Sequence, residues 1–289
     1  MTIVITGANG EFGRGVIDAL LMSDPSLPLV ASVRDVQKAV DLRDRGVQVR
    51  AGSFDEPEGL ADAFSGATTV LVNATFFGAM PQLRGQRIAS AIAAAHSAGA
   101  QRIVLTSWPD LEHTRLGLIQ DYAASEELLK STTDNWTILR FGYGLADAVA
   151  RDVTWAIRDG ELVAPAAGAH CAPAAVSDLA EASAAVILDA ALAGKTLEIS
   201  GPRSIDWRDL AELASQLSGR QIPYRELDDD GYRSWLLASG VPAALGDGLV
   251  DLYAEFRSGW AGKATSTLRD LLGHEPVDGL EAVRRRIAP

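Results

Sequence analysis

The sequence predicts an α/β protein: a doubly wound parallel Rossmann sheet carrying a smaller mixed α/β C-terminal substrate lobe. Three observations predict it. Short apolar runs alternate with helical patterns of ordinary length through the first half of the chain, as in a parallel sheet covered by helices on both faces. The first run passes directly into Gly7, Gly10 and Gly13 and then into a helical pattern over residues 14–21. Beyond residue 150 the alternation gives way to shorter and less regular segments.

Residues 2–6 (TIVIT) are apolar and β-branched, hence a buried strand. Gly7 lets the chain turn sharply, Gly10 lets the backbone approach a pyrophosphate with no Cβ in the way, and Gly13 lets the helix pack close to the sheet. The helix start offers free N–H groups and a positive dipole end to phosphates. The spacing G-x-x-G-x-x-G is one residue longer than the common fingerprint, but strand, glycine turn and helix stand where a dinucleotide site needs them. Thr6, Gly7, Asn9, Gly10, Glu11, Phe12 and Gly13 are therefore predicted to bind the cofactor.

Residues 27–34 (LPLVASVR) form the second strand and end in Arg34. An acidic residue at this end bonds a ribose 2′-hydroxyl, whereas an arginine favours a 2′-phosphate, so NADP(H) is expected. Asp35 next door is the competing candidate for the ribose. A helical segment over 36–45 leads to a third strand, 47–51, after which Phe54 and Asp55 are placed to flank the adenine. A helix over 56–64 precedes the fourth strand, 69–75 (TVLVNAT). Its end reaches the carboxyl edge where ligands bind in such sheets, with Ala74, Thr75 and Phe76 expected beside the cofactor and Phe77 beside the substrate. An alanine-rich helix over 88–98 leads to the fifth strand, 102–107 (RIVLTS), which ends in Ser107 and is followed by Trp108. A helix over 120–131 and a sixth strand over 136–140 (WTILR) follow, then a glycine-bearing loop over 141–147 that includes Tyr143.

From 153–157 the chain is expected to turn irregular through Pro173. Ser177 reads as the cap of a long helix. A strand over 196–200, an amphipathic helix over 205–217, a strand over 222–226 and helices over 230–239 and 242–256 follow, and segments over 265–271 and 279–286 finish the chain. The predicted division is an NADP-binding domain over 1–150, with 174–200 returning to it, and a substrate lobe over 151–173 and 201–289. A cleft between them is the expected substrate site.

Composition narrows the function classes. With 47% hydrophobic and 22% charged residues, the 289-residue chain is that of a globular protein with a large core. A net charge of −12 argues against nucleic acid or anionic membrane as partner. The single cysteine, Cys171, excludes an internal disulfide and a cysteine-rich metal site, and the four histidines lack ligand spacing, so no metal is expected. Adjacent in an extended segment, His170 and Cys171 point to opposite faces. No apolar run reaches the roughly 18 residues of a membrane span, and a cytoplasmic enzyme or binding protein is expected. Arg284, Arg285 and Arg286 read as a solvated helix end.

Several segments resemble the NmrA-like branch of the atypical short-chain dehydrogenase/reductases: TGANGEFG, SVRD, GSFDEPEGL, RIVLTS, WTILRFGYG, the LGL at 116–118, VSDLAEASAAVI, LEISGPRS and LLGHEP. Within that branch the likeness is to the type 2 NAD(P)H:quinone oxidoreductases and related aromatic ketone reductases, and it covers essentially the whole chain. It implies a Rossmann domain, NADP(H), and hydride transfer to a quinone or ketone without flavin or metal. In the wider superfamily a Ser at the fifth strand positions the carbonyl oxygen. A Tyr-x-x-x-Lys helix supplies the proton donor, its Lys lowering the phenol's pKa. Ser107 and Tyr122 match the first two and are the candidate catalytic residues, with Ser107 also beside the cofactor. Position 126, however, is Glu, and Lys130 on the same face has Glu126 as its expected partner at i+4. After the sixth strand, relatives commonly carry Arg-Asn-Gly-Trp-Tyr with a later Glu, whereas this chain has Arg140, Phe141, Gly142 and Tyr143, then Asp147.

Without an intact Ser-Tyr-Lys set, the expected reaction is one that needs no strong acid. That is hydride transfer from NADPH to the carbonyl of a planar quinone or polycyclic aromatic ketone, with secondary-metabolite tailoring as one setting. Phe77, Trp108 and Tyr143 are the expected substrate contacts. The competing expectations are a non-catalytic NADP-binding redox sensor and an epimerase with no net cofactor consumption.

Overall fold

The structure, a computed structural model, describes residues 1–74, 81–114 and 120–287. Seven parallel strands form the central sheet: β1 (Ile3–Thr6), β2 (Leu29–Val33), β3 (Gln48–Ala51), β4 (Thr69–Val72), β5 (Arg102–Ser107), β6 (Trp136–Phe141) and β9 (Lys195–Ile199). Their order is β3-β2-β1-β4-β5-β6-β9, so the strand order reverses between β1 and β4. At that reversal the two chains leave the sheet in opposite directions, and a crevice opens beyond the strands' carboxyl ends. β1, β4 and β5 are buried along their whole length, including the polar Arg102, Thr106 and Ser107 of β5.

Helices α1 (Glu11–Ser23), α2 (Val40–Asp44), α3 (Pro57–Ala63), α4 (Pro81–Ser97), α5 (Gln120–Thr132) and α7 (Val176–Leu188) cover the sheet. Phe12, Val16, Ile17 and Leu20 of α1 pack with Leu179, Ala180 and Ala182 of α7 on one face. On the other face Leu60, Ile88, Ile92 and Leu129 of α3, α4 and α5 cover Val4, Val70 and Leu105.

A second core lies outside the sheet. It is built by α6 (Leu145–Asp159), the short strands β7 (Leu162–Ala164), β8 (His170–Cys171), β10 (Ile205–Asp206) and β11 (Tyr224–Glu226), and helices α8 (Trp207–Ser218), α9 (Asp229–Ala238), α10 (Ala243–Arg257) and α12 (Gly279–Ile287). Trp207, Tyr232, Tyr253, Phe256 and Trp260 fill it. The Asp152 carboxylate inside it accepts hydrogen bonds from Trp207 Nε1 (3.0 Å), Arg151 Nη2 (2.7 Å) and the Tyr253 hydroxyl. α11 (Thr267–Leu272) belongs elsewhere: its Leu268 is buried in the sheet's core.

Three expectations change. The end of the loop expected over 141–147 and the start of the irregular region expected from 153–157 lie in α6: Gly144, at φ +84°, turns the chain into a helix whose Leu145, Val149, Val153 and Ala156 face the second core. Residue 150 thus falls inside a helix of that core, and α11 packs on the sheet rather than in the second core. Ser177 is not a cap, because α7 starts earlier with Ala175 at its N-cap, and Ser177 Oγ bonds Asp178 instead. Cys171 is buried and His170 exposed, on opposite faces of β8.

Candidate active site

The turn between β1 and α1 separates the three glycine roles. Gly7 adopts φ +63°, and a Cβ there would meet Asn73 Nδ2 at 3.0 Å. At Gly13 a Cβ would stand 2.6 Å from the Gly7 carbonyl oxygen and 2.9 Å from Ala8 Cα, so α1 packs this close to the turn only with glycine. At Gly10 a Cβ would meet nothing nearer than 3.4 Å, an ordinary contact. Packing therefore does not demand Gly10; its bare backbone faces a cleft. Gly10 is also the N-cap of α1 and supplies no side chain to the first-turn N–H groups.

That cleft has a volume of about 670 Å³ and follows the carboxyl ends of β1, β2, β3 and β4, within the roughly 300–1,000 Å³ of ligand and cofactor sites. Gly7, Asn9, Gly10 and Phe12 line it from the turn. Asn9 donates through Nδ2 to the Asp35 carbonyl at 2.8 Å, while its Oδ1 is buried with no hydrogen-bond partner among the described residues. A buried acceptor in that state calls for a ligand donor or water. The bare helix start, the open Gly10 backbone and this acceptor fit a dinucleotide.

The β2 and β3 end of the cleft bears on the 2′-phosphate. The Asp35 carboxylate accepts the Gln37 N–H at 3.0 Å and caps the 3₁₀ turn Val36–Ala39, with Lys38 Nζ 3.9 Å away. Asp35 itself also lines the cleft. Arg34 is exposed and lines the cleft together with Lys38. Phe54 and Asp55 also line it, and Arg87 of α4 holds Asp55 through two bonds of 2.6 and 2.8 Å. The Arg87 guanidinium keeps the Asp55 carboxyl below its usual range. Sequence reading missed Lys38 and Arg87. For Arg87 the available signal was its place in the helix after β4, which begins at the same sheet edge.

At the other end Asn73 and Tyr143 line the cleft. Phe12 packs between Phe141 (5.4 Å between centroids) and Tyr143 (5.9 Å), so the aromatic at position 141 serves packing. Burial raises the Tyr143 pKa. Thr75, Phe76 and Phe77 lie outside the described residues, as does the LGL segment.

Ser107 and Tyr122 are built differently. The Tyr122 hydroxyl donates to the Ala74 carbonyl at 2.6 Å, and its ring is 2% exposed. Burial drives its pKa up; the nearby Asp121 charge adds to the rise and Arg84 opposes it. Ser107 Oγ donates to Glu126 Oε1 at 2.6 Å. Glu126, 1% exposed, is clasped by Arg140 through Nε (2.9 Å) and Nη2 (2.7 Å). Arg140 Nη1 also bonds Glu112 at 2.7 Å and Glu198 at 3.0 Å. Neither candidate catalytic hydroxyl lines the cleft, and each points its proton at a protein acceptor. The expected Lys130–Glu126 pair is replaced: Lys130 bonds Glu127 at 2.8 Å, because Glu126 is turned inward to Arg140. Trp108 stacks between Tyr122 (6.0 Å) and Trp260 (5.8 Å), joining the two cores.

Thr6, Glu11, Gly13 and Ala74 also stand off the described cleft wall. The Thr6 hydroxyl donates to the Leu71 carbonyl (2.9 Å) and accepts the Asn73 N–H (2.8 Å), tying β1 to β4. The Ala74 N–H bonds Thr106 Oγ1 at 2.7 Å. Glu11 is held by Arg286 Nη1 at 2.7 and 2.8 Å, and Arg286 Nε bonds Asp147 at 2.6 Å. The basic run is therefore a solvated helix end only at Arg284 and Arg285, which face Glu281.

A family model described as NAD(P)H-binding matches residues 7–190. The chain belongs to this NAD(P)H-binding family. Over 283 residues, 97% of each chain, this family member is 30% identical to quinone oxidoreductase 2 of Escherichia coli. The structure of the NADPH-dependent quinone oxidoreductase of Escherichia coli complexed with NADPH superposes with a TM-score of 0.89 at 28% identity, covering 100% of both chains. The Citrobacter sp. triphenylmethane reductase complexed with NADP(H) gives 0.87 at 26% identity, over 99% of this chain and 100% of that one. Among the described residues no helix is long and apolar enough to cross a membrane, and no group of His, Cys, Asp and Glu could hold a metal ion.

Proposed function

We propose that this protein is an NADPH-dependent reductase that transfers hydride to the carbonyl of a planar quinone or polycyclic aromatic ketone, with no proton donated by Ser107 or Tyr122. The observation that carries the reading is the contrast between an open cofactor cleft and two sealed hydroxyls. NADPH supplies the hydride when bound. Backbone N–H groups at the start of α1 bind the pyrophosphate, Asn9 Oδ1 accepts a hydrogen bond from the ligand, and Arg34 and Lys38 face the 2′-phosphate. Phe12 and Tyr143, with Phe141 packed behind Phe12, form an aromatic wall beside the nicotinamide and limit water there. A quinone reduced by two electrons becomes a phenolate with a pKa near ~10, which water can protonate without a side-chain acid. A ketone flanked by a ring hydroxyl carries its own proton donor. The relatives named for a quinone and for triphenylmethane dyes support a conjugated acceptor of this kind. Trp108 and Phe77 would complete the substrate contacts, in a cytoplasmic enzyme of secondary-metabolite tailoring.

The test is NADPH consumption, followed by the absorbance of the reduced nicotinamide, with a panel of quinones and fused-ring aromatic ketones. The reading predicts steady turnover with at least one class. A protein that binds NADPH but consumes none with any acceptor would instead be a redox sensor.

A further inference from the structure

The last described helix reaches back to the start of the first. Glu11 opens α1, the helix whose N-terminal pole faces the cleft, and Arg286 lies in the last turn of α12, 275 positions away. A carboxylate at the first turn of a helix is attracted to the same dipole end and N–H groups that receive a phosphate. Left to itself, Glu11 would place a negative charge beside the pyrophosphate. It is not left to itself: both its oxygens lie on Arg286 Nη1, and it does not line the cleft. The Nε of the same guanidinium bonds Asp147, in the first turn of α6, so one arginine serves acids at the starts of two helices. Tyr143 on the cleft wall feels the charges of Glu11, Asp147 and Arg286 together, which places this cluster within electrostatic reach of the site.

We propose that Arg286 is a positioning residue for the dinucleotide: by holding the Glu11 carboxylate, it clears a competing negative charge from the pole of α1 that receives the pyrophosphate. The proposal rests on the reading of that pole as the pyrophosphate site. Arg286 is 27% exposed and Glu11 53% exposed, so solvent screens the effect and its size is modest.

The test compares dissociation constants of the full chain for NADPH and for adenosine 2′-phosphate, which carries no pyrophosphate. R286Q is expected to weaken NADPH binding about five-fold at low salt, with less loss at high salt. Binding of adenosine 2′-phosphate is expected to stay the same. In E11Q/R286Q, where the competing charge is gone as well, NADPH affinity should return to within about two-fold of the parent, the scatter expected of a neutral surface change. Three results would overturn the inference: unchanged NADPH affinity in R286Q, a loss that persists in the double variant, or an equal loss for adenosine 2′-phosphate. A parent protein that binds neither ligand would overturn the cofactor reading and this inference together. Binding by the parent with an unchanged R286Q overturns this inference alone.

Discussion

At the carboxyl ends of β1 and β2 polar groups face a cleft, whereas at the carboxyl ends of β5 and β6 they are paired with one another. The first edge presents an uncapped helix start, the orphaned Asn9 Oδ1 and the exposed Arg34. The second commits Ser107 to Glu126, Glu126 to Arg140, and Tyr122 to the Ala74 carbonyl. In the superfamily that the sequence resembles, the second edge supplies the proton. Here Glu126 stands at the lysine's position: buried, it needs a cation, and Arg140 on the neighbouring strand provides one. The pair then draws in Ser107. The difference separates an edge left open to a ligand from one whose polar side chains bond one another.

The largest effect that would sharpen this contrast is on stability at the paired edge. Arg140→Met leaves the buried Glu126 uncompensated and should lower unfolding stability by about 3–5 kcal/mol, with Arg140→Met/Glu126→Leu regaining much of the loss. Chemical denaturation measures it, and a loss below about 1 kcal/mol would mean that the edge is not locked as described. At the open edge, Arg34→Ser should lower the NADPH-over-NADH ratio of kcat/KM by about ten- to a hundred-fold, the worth of a charge-assisted bond. An unchanged ratio would transfer the 2′-phosphate to Lys38 or Arg87.

The glycines divide the same way within the turn. Gly13→Ala, against a contact of 2.6 Å, should destabilise the fold by about 1–3 kcal/mol. Gly10→Ala should leave stability nearly unchanged and weaken NADPH binding about ten-fold, or roughly 1.4 kcal/mol. Equal stability losses in the two variants would contradict the separate roles.

The smallest effect lies on the rim of the paired edge. His113 Nδ1 is 2.5 Å from Asp110 Oδ1, and this bond raises its pKa above the ordinary 6.5. A raised folded pKa contributes stability that is fully present below the unfolded value of ~6.5 and lost as pH rises through the folded one. An NMR titration should place the His113 midpoint above that of a free imidazole, and His113→Gln should remove this part of the pH dependence.

Local signals made the open edge readable. Gly7, Gly10 and Gly13 follow a β-branched strand, and Arg34 follows the next one. Strand alternation and turn chemistry fix such positions within a few residues. The paired edge depends on contacts that local rules do not set. Spacing along α5 offered Lys130 to Glu126 at i+4, but a fully buried carboxylate took the inward partner from β6 and left Lys130 to Glu127. Arg87 meets Asp55 across 32 positions and Arg286 meets Glu11 across 275, distances over which no periodicity carries information. α6 was hidden because Gly142 and Gly144 read as loop, although its apolar stripe faces the smaller second core.

The central claim, that the hydroxyls at the paired edge supply no proton, is tested most directly by Tyr122→Phe. Single-turnover NADPH oxidation by a quinone would be measured on the cofactor-loaded enzyme. The account predicts a rate within a few-fold of the parent, and a stability loss of about 1–3 kcal/mol from the unpartnered Ala74 carbonyl. A rate loss near the 10²-fold expected of a general acid, in a variant that still binds NADPH normally, would contradict it.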